Sequence, residues 1–223
     1  MVYVPFIGTS KEFQSKPAQN ALNYLRGFGI VPDAVIVRTD NPAPISIAKK
    51  IALFGGLQER SVLMMPNVDS VFRIPDGIAR SSLMQQLNEF TAMRDVPDLK
   101  GWHDLVERQR APKKHRAKIG LVAKYIDNED TYISVIEALK AAAWWENTEL
   151  EVQWINAETA SEEDFASVDG LLVPGGFGSR GIEGKIEAIK YARTHNIPFL
   201  GLCLGMQLSI VEFARDVIGY NDA

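Results

Sequence analysis

The sequence predicts an α/β fold of two doubly wound, parallel-sheet units joined by a linker. Short apolar runs alternate with stretches of helical periodicity in both halves of the chain, as in parallel sheets covered by helices. Between the halves, residues 96–117 are basic, contain proline and lack a clear period, which is typical of a linker. The halves also differ in net charge, with +5 over residues 1–116 and −9 over residues 117–223. We therefore expect domains at residues 1–95 and 118–223, with different ligands.

Composition is that of an ordinary globular protein. Of the 223 residues, 46% are hydrophobic and 23% are charged, which excludes collagen-like and disordered chains. No apolar run reaches about 18 residues, so neither a membrane-spanning helix nor a membrane partner is expected. The single cysteine, Cys203, excludes an intrachain disulfide and favours a reducing, cytoplasmic location. The basic run 108–116 lacks interleaved aromatic residues, so no nucleic-acid partner is expected.

Proline and glycine mark the elements of the first half. Pro17 suits the first turn of a helix, where its missing N–H costs nothing, and Gly27 ends that helix. Pro44 precedes a second helix, which stops at Gly55 and Gly56. A third helix is indicated by apolar spacing alone. The predicted strands are residues 2–7, 34–37 and 61–65, and the predicted helices are residues 17–26, 45–54 and 78–93.

The same alternation resumes after the linker. Ile133, Ile136, Leu139 and Ala143 recur at the spacing of one helix face. Four apolar runs have the length of buried strands. The predicted strands are residues 118–123, 150–155, 168–173 and 197–202, and the predicted helices are residues 132–144, 182–194 and 205–218.

The most informative motif is the segment Gly201-Leu202-Cys203-Leu204-Gly205, which lies between a predicted strand and a predicted helix. It fits the nucleophile-elbow pattern G-x-Nuc-x-G with cysteine as the nucleophile. A sharp strand-to-helix turn needs glycine on both sides to avoid backbone clashes. The turn also brings the positive end of a helix dipole towards the sulfur, which favours the reactive thiolate. We interpret Cys203 as a nucleophile rather than an inert core cysteine.

A glycine loop at residues 174–181 follows the preceding predicted strand. Its exposed backbone N–H groups are suited to stabilising an oxyanion beside a nucleophile. The loop also matches G-x-G-x-x-G, but the acidic residue that a dinucleotide site needs about 20 positions later is missing. The three histidines, His103, His115 and His195, include no persuasive base for Cys203, and no ligand spacing predicts a metal site.

Taken together, several segments resemble the CTP synthase family. Residues 173–185 (VPGGFGSRGIEGK) and 197–207 (IPFLGLCLGMQ) are similar to the glycine loop and the nucleophile segment of its glutaminase domain. The elbow alone indicates only a class I glutamine amidotransferase. The further similar segments are residues 124–126 and 134–140 at the glutaminase start, and residues 3–6, 15–19, 50–54 and 68–71 at the end of the synthase (amidoligase) domain.

The resemblance implies two partial α/β domains: the end of a P-loop-type amidoligase domain and the start of a flavodoxin-like class I glutaminase domain. It implies a ligase of pyrimidine biosynthesis that hydrolyses glutamine through a cysteinyl thioester and passes ammonia to the synthase half. There ATP phosphorylates UTP, and ammonia displaces the phosphate to give CTP. The implied cofactors are ATP and Mg²⁺, with none bound covalently, and the implied partners are glutamine, UTP, the product CTP and further copies in a cytoplasmic homotetramer.

Carried over residue by residue, the resemblance makes Cys203 the nucleophile. The implied glutamine and oxyanion site consists of Gly176, Leu204, Gly205, Met206 and Gln207. The implied UTP/CTP site consists of Gln14, Ser15, Lys16, Pro17, Ala18, Gln19 and Lys50, and Val68 falls in the ATP region.

The sequence also departs from the family pattern. It contains no P-loop motif, and Gln14 and Ala18 replace a usual lysine and threonine. The family's Mg²⁺-binding acidic residues and the histidine and glutamate of its triad have no counterpart. We therefore expect an internal fragment of about two fifths of a CTP synthase that is inactive alone.

Two other interpretations stay open from the sequence. A free-standing thiol hydrolase or stress protein of flavodoxin-like fold would need a histidine within hydrogen-bond reach of Cys203. A non-enzymatic remnant would associate with other subunits through exposed sheet edges.

Overall fold

The computed structural model describes residues 1–93, 97–126 and 129–223, and it divides into two compact units, Met1–Glu107 and Arg108–Ala223. The division falls within the segment interpreted as a linker. That segment is not irregular, because it contains the helix Lys100–Arg110 and the start of a strand at His115. The expected boundary at residues 95 and 96 lies outside the described residues, so the domain limits stay a prediction.

The first unit is built on a parallel sheet. Strands β1 (Val2–Val4), β4 (Val35–Thr39) and β5 (Val62–Pro66) pair in the order β1-β4-β5. The single strand predicted at residues 2–7 is wrong in extent, because β2 (Phe6–Ile7) instead forms a short antiparallel hairpin with β3 (Glu12–Phe13). Pro5 separates the two pairings, since it has no N–H to donate to a sheet.

Helices of the first unit cover the sheet. The helices α1 (Lys16–Gly27) and α2 (Ile45–Gly55) agree with the prediction to within one residue at each end. The helix predicted at residues 78–93 is wrong. Two helices, α3 (Ile74–Ala79) and α4 (Ser82–Thr91), take its place because Ser81 is extended and its hydroxyl donates to the Ile78 carbonyl at 2.6 Å. The helix α5 (Lys100–Arg110) was not predicted.

The second unit has a four-stranded parallel sheet. Its strands are β6 (His115–Ala123), β7 (Thr148–Asn156), β8 (Gly170–Val173) and β9 (Phe199–Gly201). They pair in the order β7-β6-β8-β9, which is the flavodoxin-like doubly wound order. In such sheets ligands bind beyond the carboxyl ends of the strands, near the point where the strand order reverses. Here that point lies between β6 and β8.

Helices cover both faces of this sheet, as the doubly wound fold requires. They are α6 (Ile133–Trp145), α7 (Glu162–Ala166), α8 (Ile182–His195) and α9 (Leu204–Phe213). Val122 and Val173 are fully buried on the face that contacts residues of α7, α8 and α9, whereas Leu121 and Leu172 pack towards α6 on the other face. The predicted helix at 205–218 is shorter, because a π-helical turn takes over at Ala214–Ile218. None of the helices described is both long and apolar enough to span a bilayer.

Candidate active site

The turn between β9 and α9 places Cys203 in an unusual backbone conformation. Its φ of 51° and ψ of −105° lie in a region that residues other than glycine rarely adopt, and its side chain is exposed. A Cβ at Gly201 would lie 2.6 Å from the carbonyl carbon of Gly205, and a Cβ at Gly205 would lie 2.1 Å from the carbonyl oxygen of Val173. The two glycines therefore make the sharp turn possible, and the turn projects the sulfur beyond the carboxyl end of β9.

The glycine loop that follows β8 lies beside this sulfur. A Cβ at Gly175 would be 3.4 Å from Cβ and 3.9 Å from Sγ of Cys203. A Cβ at the next residue, Gly176, would be 3.8 Å from a methyl carbon of Leu204. The structure thus brings together Cys203, Gly176 and Leu204, the residues expected to hold the nucleophile and the oxyanion.

Two lysines flank the loop. Lys124, which follows β6, donates from Nζ to the carbonyl oxygen of Phe177 at 3.2 Å. Lys185, in the first turn of α8, is only 2% exposed, and its Nζ lies 3.4 Å from the position of a Gly176 Cβ. Burial lowers the pKa of Lys185, and the nearby charge of Lys124 lowers it further. Sequence reasoning missed this lysine, because a lysine in a helix is ordinarily a solvent-facing residue.

The other residues expected at the glutamine site lie in the first turn of α9. Gly205 is buried against Val173, whereas the side chains of Met206 and Gln207 are exposed. The backbone N–H of Gln207 donates to the carbonyl oxygen of Cys203 at 3.2 Å. The expected contact of Gln207 with glutamine stays a prediction.

The histidines of the second unit lie away from Cys203. His115 begins β6 and His195 ends α8, just before β9, so both lie towards the amino ends of parallel strands. His195 stacks on Tyr191, and its Nδ1 lies 3.1 Å from the Tyr191 carbonyl oxygen. Among the described contacts of these two residues, none reaches Cys203. The free-standing thiol hydrolase, which needs a histidine there, is therefore not favoured.

The residues expected to bind nucleotide lie in the first unit. Ser15 precedes α1 and is buried, and its hydroxyl accepts from Nε2 of Gln19 at 2.9 Å. Ala18 is also buried, in the core beneath α1. The remaining expected residues are exposed: Gln14, Lys16 and Pro17 at the start of α1, Lys50 within α2, and Val68 after β5. Their roles stay predictions.

Within residues 1–93, 97–126 and 129–223, no three or more His, Cys, Asp and Glu side chains come together as metal ligands would. The third histidine, His103, belongs to the first unit, where its Nε2 lies 2.9 Å from a carboxylate oxygen of Asp76.

Comparison with known proteins gives matches in both units. Residues 1–93 match the family model "CTP synthase N-terminus", and residues 126–222 match "Glutamine amidotransferase class-I". CTP synthases from Caldanaerobacter subterraneus subsp. tengcongensis and Geobacillus kaustophilus are each 43% identical over 99% of this chain and 42% of their own length. A solved glutaminase domain of Trypanosoma brucei CTPS with bound acivicin is 35% identical, with a TM-score of 0.44, over 48% of this chain and 43% of that one.

The chain therefore spans about two fifths of the length of the curated relatives that it matches. The two family models follow one another along the chain, and the relatives match it from end to end. The chain is therefore similar to CTP synthases over nearly its whole length.

Proposed function

We propose that this chain carries the glutamine-hydrolysing nucleophile and part of the nucleotide site of a CTP synthase, an ATP-dependent ligase that aminates UTP to CTP. The observation that carries the proposal is the turn at Cys203, whose sulfur lies beside the Gly175–Gly176 loop in a glutamine amidotransferase unit. The first unit matches the N-terminus of CTP synthase, which supports a nucleotide as the acceptor of the nitrogen.

The proposed chemistry begins with the addition of Sγ of Cys203 to the side-chain carbonyl carbon of glutamine. The carbonyl electrons move onto oxygen, and the backbone N–H groups of Gly176 and Leu204 donate to that oxyanion. The C–N bond then breaks, ammonia leaves with an added proton, and a thioester remains. Water hydrolyses the thioester to glutamate and restores the thiol. Ammonia then replaces the phosphate that ATP has transferred to UTP, and CTP and inorganic phosphate are formed.

Proton transfer in this reaction needs a base, and among the described residues of the second unit neither histidine is placed to serve Cys203. His115 and His195 both lie towards the amino ends of the strands, whereas Cys203 follows the carboxyl end of β9. We infer that the base belongs to a part of the family's longer proteins that this chain does not cover. We also assign no ligand of Mg²⁺ to this chain. The expected assembly into a cytoplasmic homotetramer stays a prediction.

The nucleotide roles proposed for the first unit rest on its topology. The segment that contains Gln14 and Ser15 follows the β2–β3 hairpin and returns to the end of β1, where the Gln14 N–H donates to the Pro5 carbonyl oxygen at 2.9 Å, and Val68 follows β5. Both strands run parallel to β4, so these segments leave the same, carboxyl edge of the sheet, where α/β folds bind ligands. Lys16, Pro17, Ala18 and Gln19 continue from this segment into α1, and Lys50 lies on α2. This placement supports a UTP/CTP site with ATP nearby.

A glutamine-mimicking diazo-ketone tests the nucleophile. Protonation of its diazo carbon and attack by Sγ of Cys203 expel N₂ and leave a stable thioether. We expect intact mass spectrometry to show one adduct per chain, and we expect L-glutamine but not D-glutamine to protect against it, because a formed site binds one enantiomer. The Cys203→Ala variant is expected to stay unmodified.

Two results of the labelling experiment would contradict the proposal. An adduct that persists in Cys203→Ala would place the reaction at another side chain. Labelling that L-glutamine and D-glutamine suppress equally, or not at all, would show that the turn exposes a reactive thiol without a glutamine site.

CTP formation by the 223-residue chain alone is not expected. The sequence has no G-x-x-x-x-G-K-[ST] motif to hold the ATP phosphates, and no histidine of the second unit contacts Cys203 among the described residues. Chromatography of UTP incubated with the chain, ATP, Mg²⁺ and glutamine checks this expectation. Detectable CTP would overturn the assignment of both missing functions to other parts of the family's proteins.

A further inference from the structure

Lys185 is a buried cation that the proposed reaction does not yet use. It is 2% exposed, and no side-chain hydrogen bond or ion pair joins it to any residue that the structure describes. A buried charge without a partner costs several kcal/mol in a typical protein. Every described side-chain nitrogen or oxygen that is sealed from solvent has a hydrogen-bond partner. Because the ammonium of Lys185 has no such partner, it is not fully sealed and keeps a small accessible area. A buried lysine whose ammonium is still accessible can stabilise a negative charge that forms beside it only during a reaction.

The position of the ammonium identifies where such a charge would form. Nζ of Lys185 lies 3.4 Å from the point where a Gly176 Cβ would be, and a methyl carbon of Leu204 lies 3.8 Å from the same point. Gly176 and Leu204 are the two residues proposed to donate to the oxyanion. The Gly175–Gly176 loop also lies beside Sγ of Cys203. The ammonium is therefore next to the oxyanion donors and on the loop that borders the sulfur.

The charged groups around Lys185 leave it unneutralised. Lys124, from the segment after β6, is a cation and opposes the charge of Lys185. Glu158, from the segment after β7, pairs with Arg180, and Glu183, from α8 itself, pairs with Arg215 at 3.2 Å. In the described part of the chain, neither carboxylate forms an ion pair with Lys185. An anion at the glycine loop would thus be the partner that this lysine lacks.

We propose that Lys185 is a positioning residue whose buried ammonium makes the electrostatic potential at the Cys203 site more positive, and so favours anions that form beside Gly176. The anions concerned are the thiolate of Cys203 and, resting on the proposed function, the oxyanion of the glutamine adduct. A unit charge acts strongly at this range because the surrounding protein screens it less than water does.

Charged and neutral alkylating agents measure this potential directly. Sγ of Cys203 displaces iodide from iodoacetate or from iodoacetamide, an S–C bond replaces the C–I bond, and the thiol proton passes to solvent. Since Cys203 is the only cysteine, no other thiol competes. The ratio of the two rates reports the preference for an anion. We expect Lys185→Met to lower this ratio about tenfold, and Lys185→Arg to keep it near that of the unaltered chain.

A matched control lies on the same helix. Lys190 is partly exposed and pairs with Asp216 at 3.1 Å, so Lys190→Met removes an equal charge away from the loop and is expected to leave the ratio unchanged. We also expect Lys185→Met to raise the melting temperature, because it removes a desolvated charge. A purely structural role would instead lower the melting temperature and slow both reagents equally.

The proposal stays falsifiable if Lys185→Met does not fold. In the unaltered chain, the ratio is expected to be several-fold higher in buffer than in urea, where Lys185 no longer lies near Cys203. An equal ratio in the two conditions, or an unchanged ratio in a folded Lys185→Met, would overturn the proposal. Failure of the proposed function gives a different result: L-glutamine would not protect Cys203 from the diazo-ketone, while the effect of Lys185 on the ratio would remain.

Discussion

Gly205→Ala is expected to destabilise the second unit by roughly 3–5 kcal/mol, the range of severe single substitutions. An alanine Cβ would lie 2.1 Å from the carbonyl oxygen and 3.0 Å from the carbonyl carbon of Val173. That oxygen already accepts the N–H of Leu202 at 2.9 Å, so it cannot move without breaking a bond of the turn. The first turn of α9 must therefore shift away from β8. Urea unfolding followed by far-UV circular dichroism measures the loss.

The same substitution at an open position provides the control. Gly77 lies within α3, and nothing lies within 4 Å of its Cβ position, so Gly77→Ala is expected to be neutral or to stabilise by up to about 1 kcal/mol, as alanine does in helices. In Gly205→Ala, the protection of Cys203 by L-glutamine should also disappear. A Gly205→Ala variant as stable as Gly77→Ala would contradict the close approach of α9 and β8.

The elbow could be predicted from sequence because its physical requirement is visible there. A chain that turns sharply between a strand and a helix brings its own backbone into contact, and only glycine leaves room. The sequence shows this requirement directly as glycine at positions 201 and 205. The structure confirms it, because a Cβ atom at either position would clash with backbone atoms. Strand order could not be read in this way, because it depends on contacts between segments far apart in the chain.

The burial of Lys185 could not be predicted for a related reason. Its neighbours in α8 follow a helical pattern, and a lysine among them reads as part of the solvent-facing side. What buries it is the packing of the glycine loop and of Leu204, which sequence periodicity does not contain. Lys185 is thus the hardest residue of the site to predict, because its burial depends on contacts with segments that are distant in the sequence.

The sequence of helix α5 contains a helical pattern, but other features of the segment favoured a linker. Trp102, Leu105, Val106 and Gln109 recur at helical spacing, and all four are at least partly buried. The basic residues and Pro112 favoured an irregular linker. In the structure the helix ends at Arg110, two residues before that proline, as helices commonly do. The short helix α7 also had a signal, because Ser161 and Asp164 form a capping box.

The ion pair between α8 and α9 gives the second large expected effect. Glu212 is 1% exposed, and Arg193 donates to it from Nη2 at 2.7 Å and from Nε at 2.9 Å. The same pairing raises the pKa of Arg193. Arg193→Met leaves the Glu212 carboxylate buried without this partner, which is expected to cost about 3–5 kcal/mol of unfolding free energy. Urea unfolding of the variant measures it.

Replacing both charged residues tests whether the cost of Arg193→Met comes from leaving the Glu212 carboxylate buried without its partner. The side chains that line this region include Ile189, Ile197 and Phe213, so a second methionine at position 212 would enter apolar surroundings. The double variant Arg193→Met with Glu212→Met is therefore expected to recover most of the lost stability, since buried ion pairs are often replaced by apolar residues at little cost. Because the pair joins α8, which follows the glycine loop, to α9, which follows Cys203, the single variant should also weaken the protection of Cys203 by L-glutamine. A double variant no more stable than Arg193→Met would show that the cost comes from lost packing of the arginine and not from a stranded carboxylate.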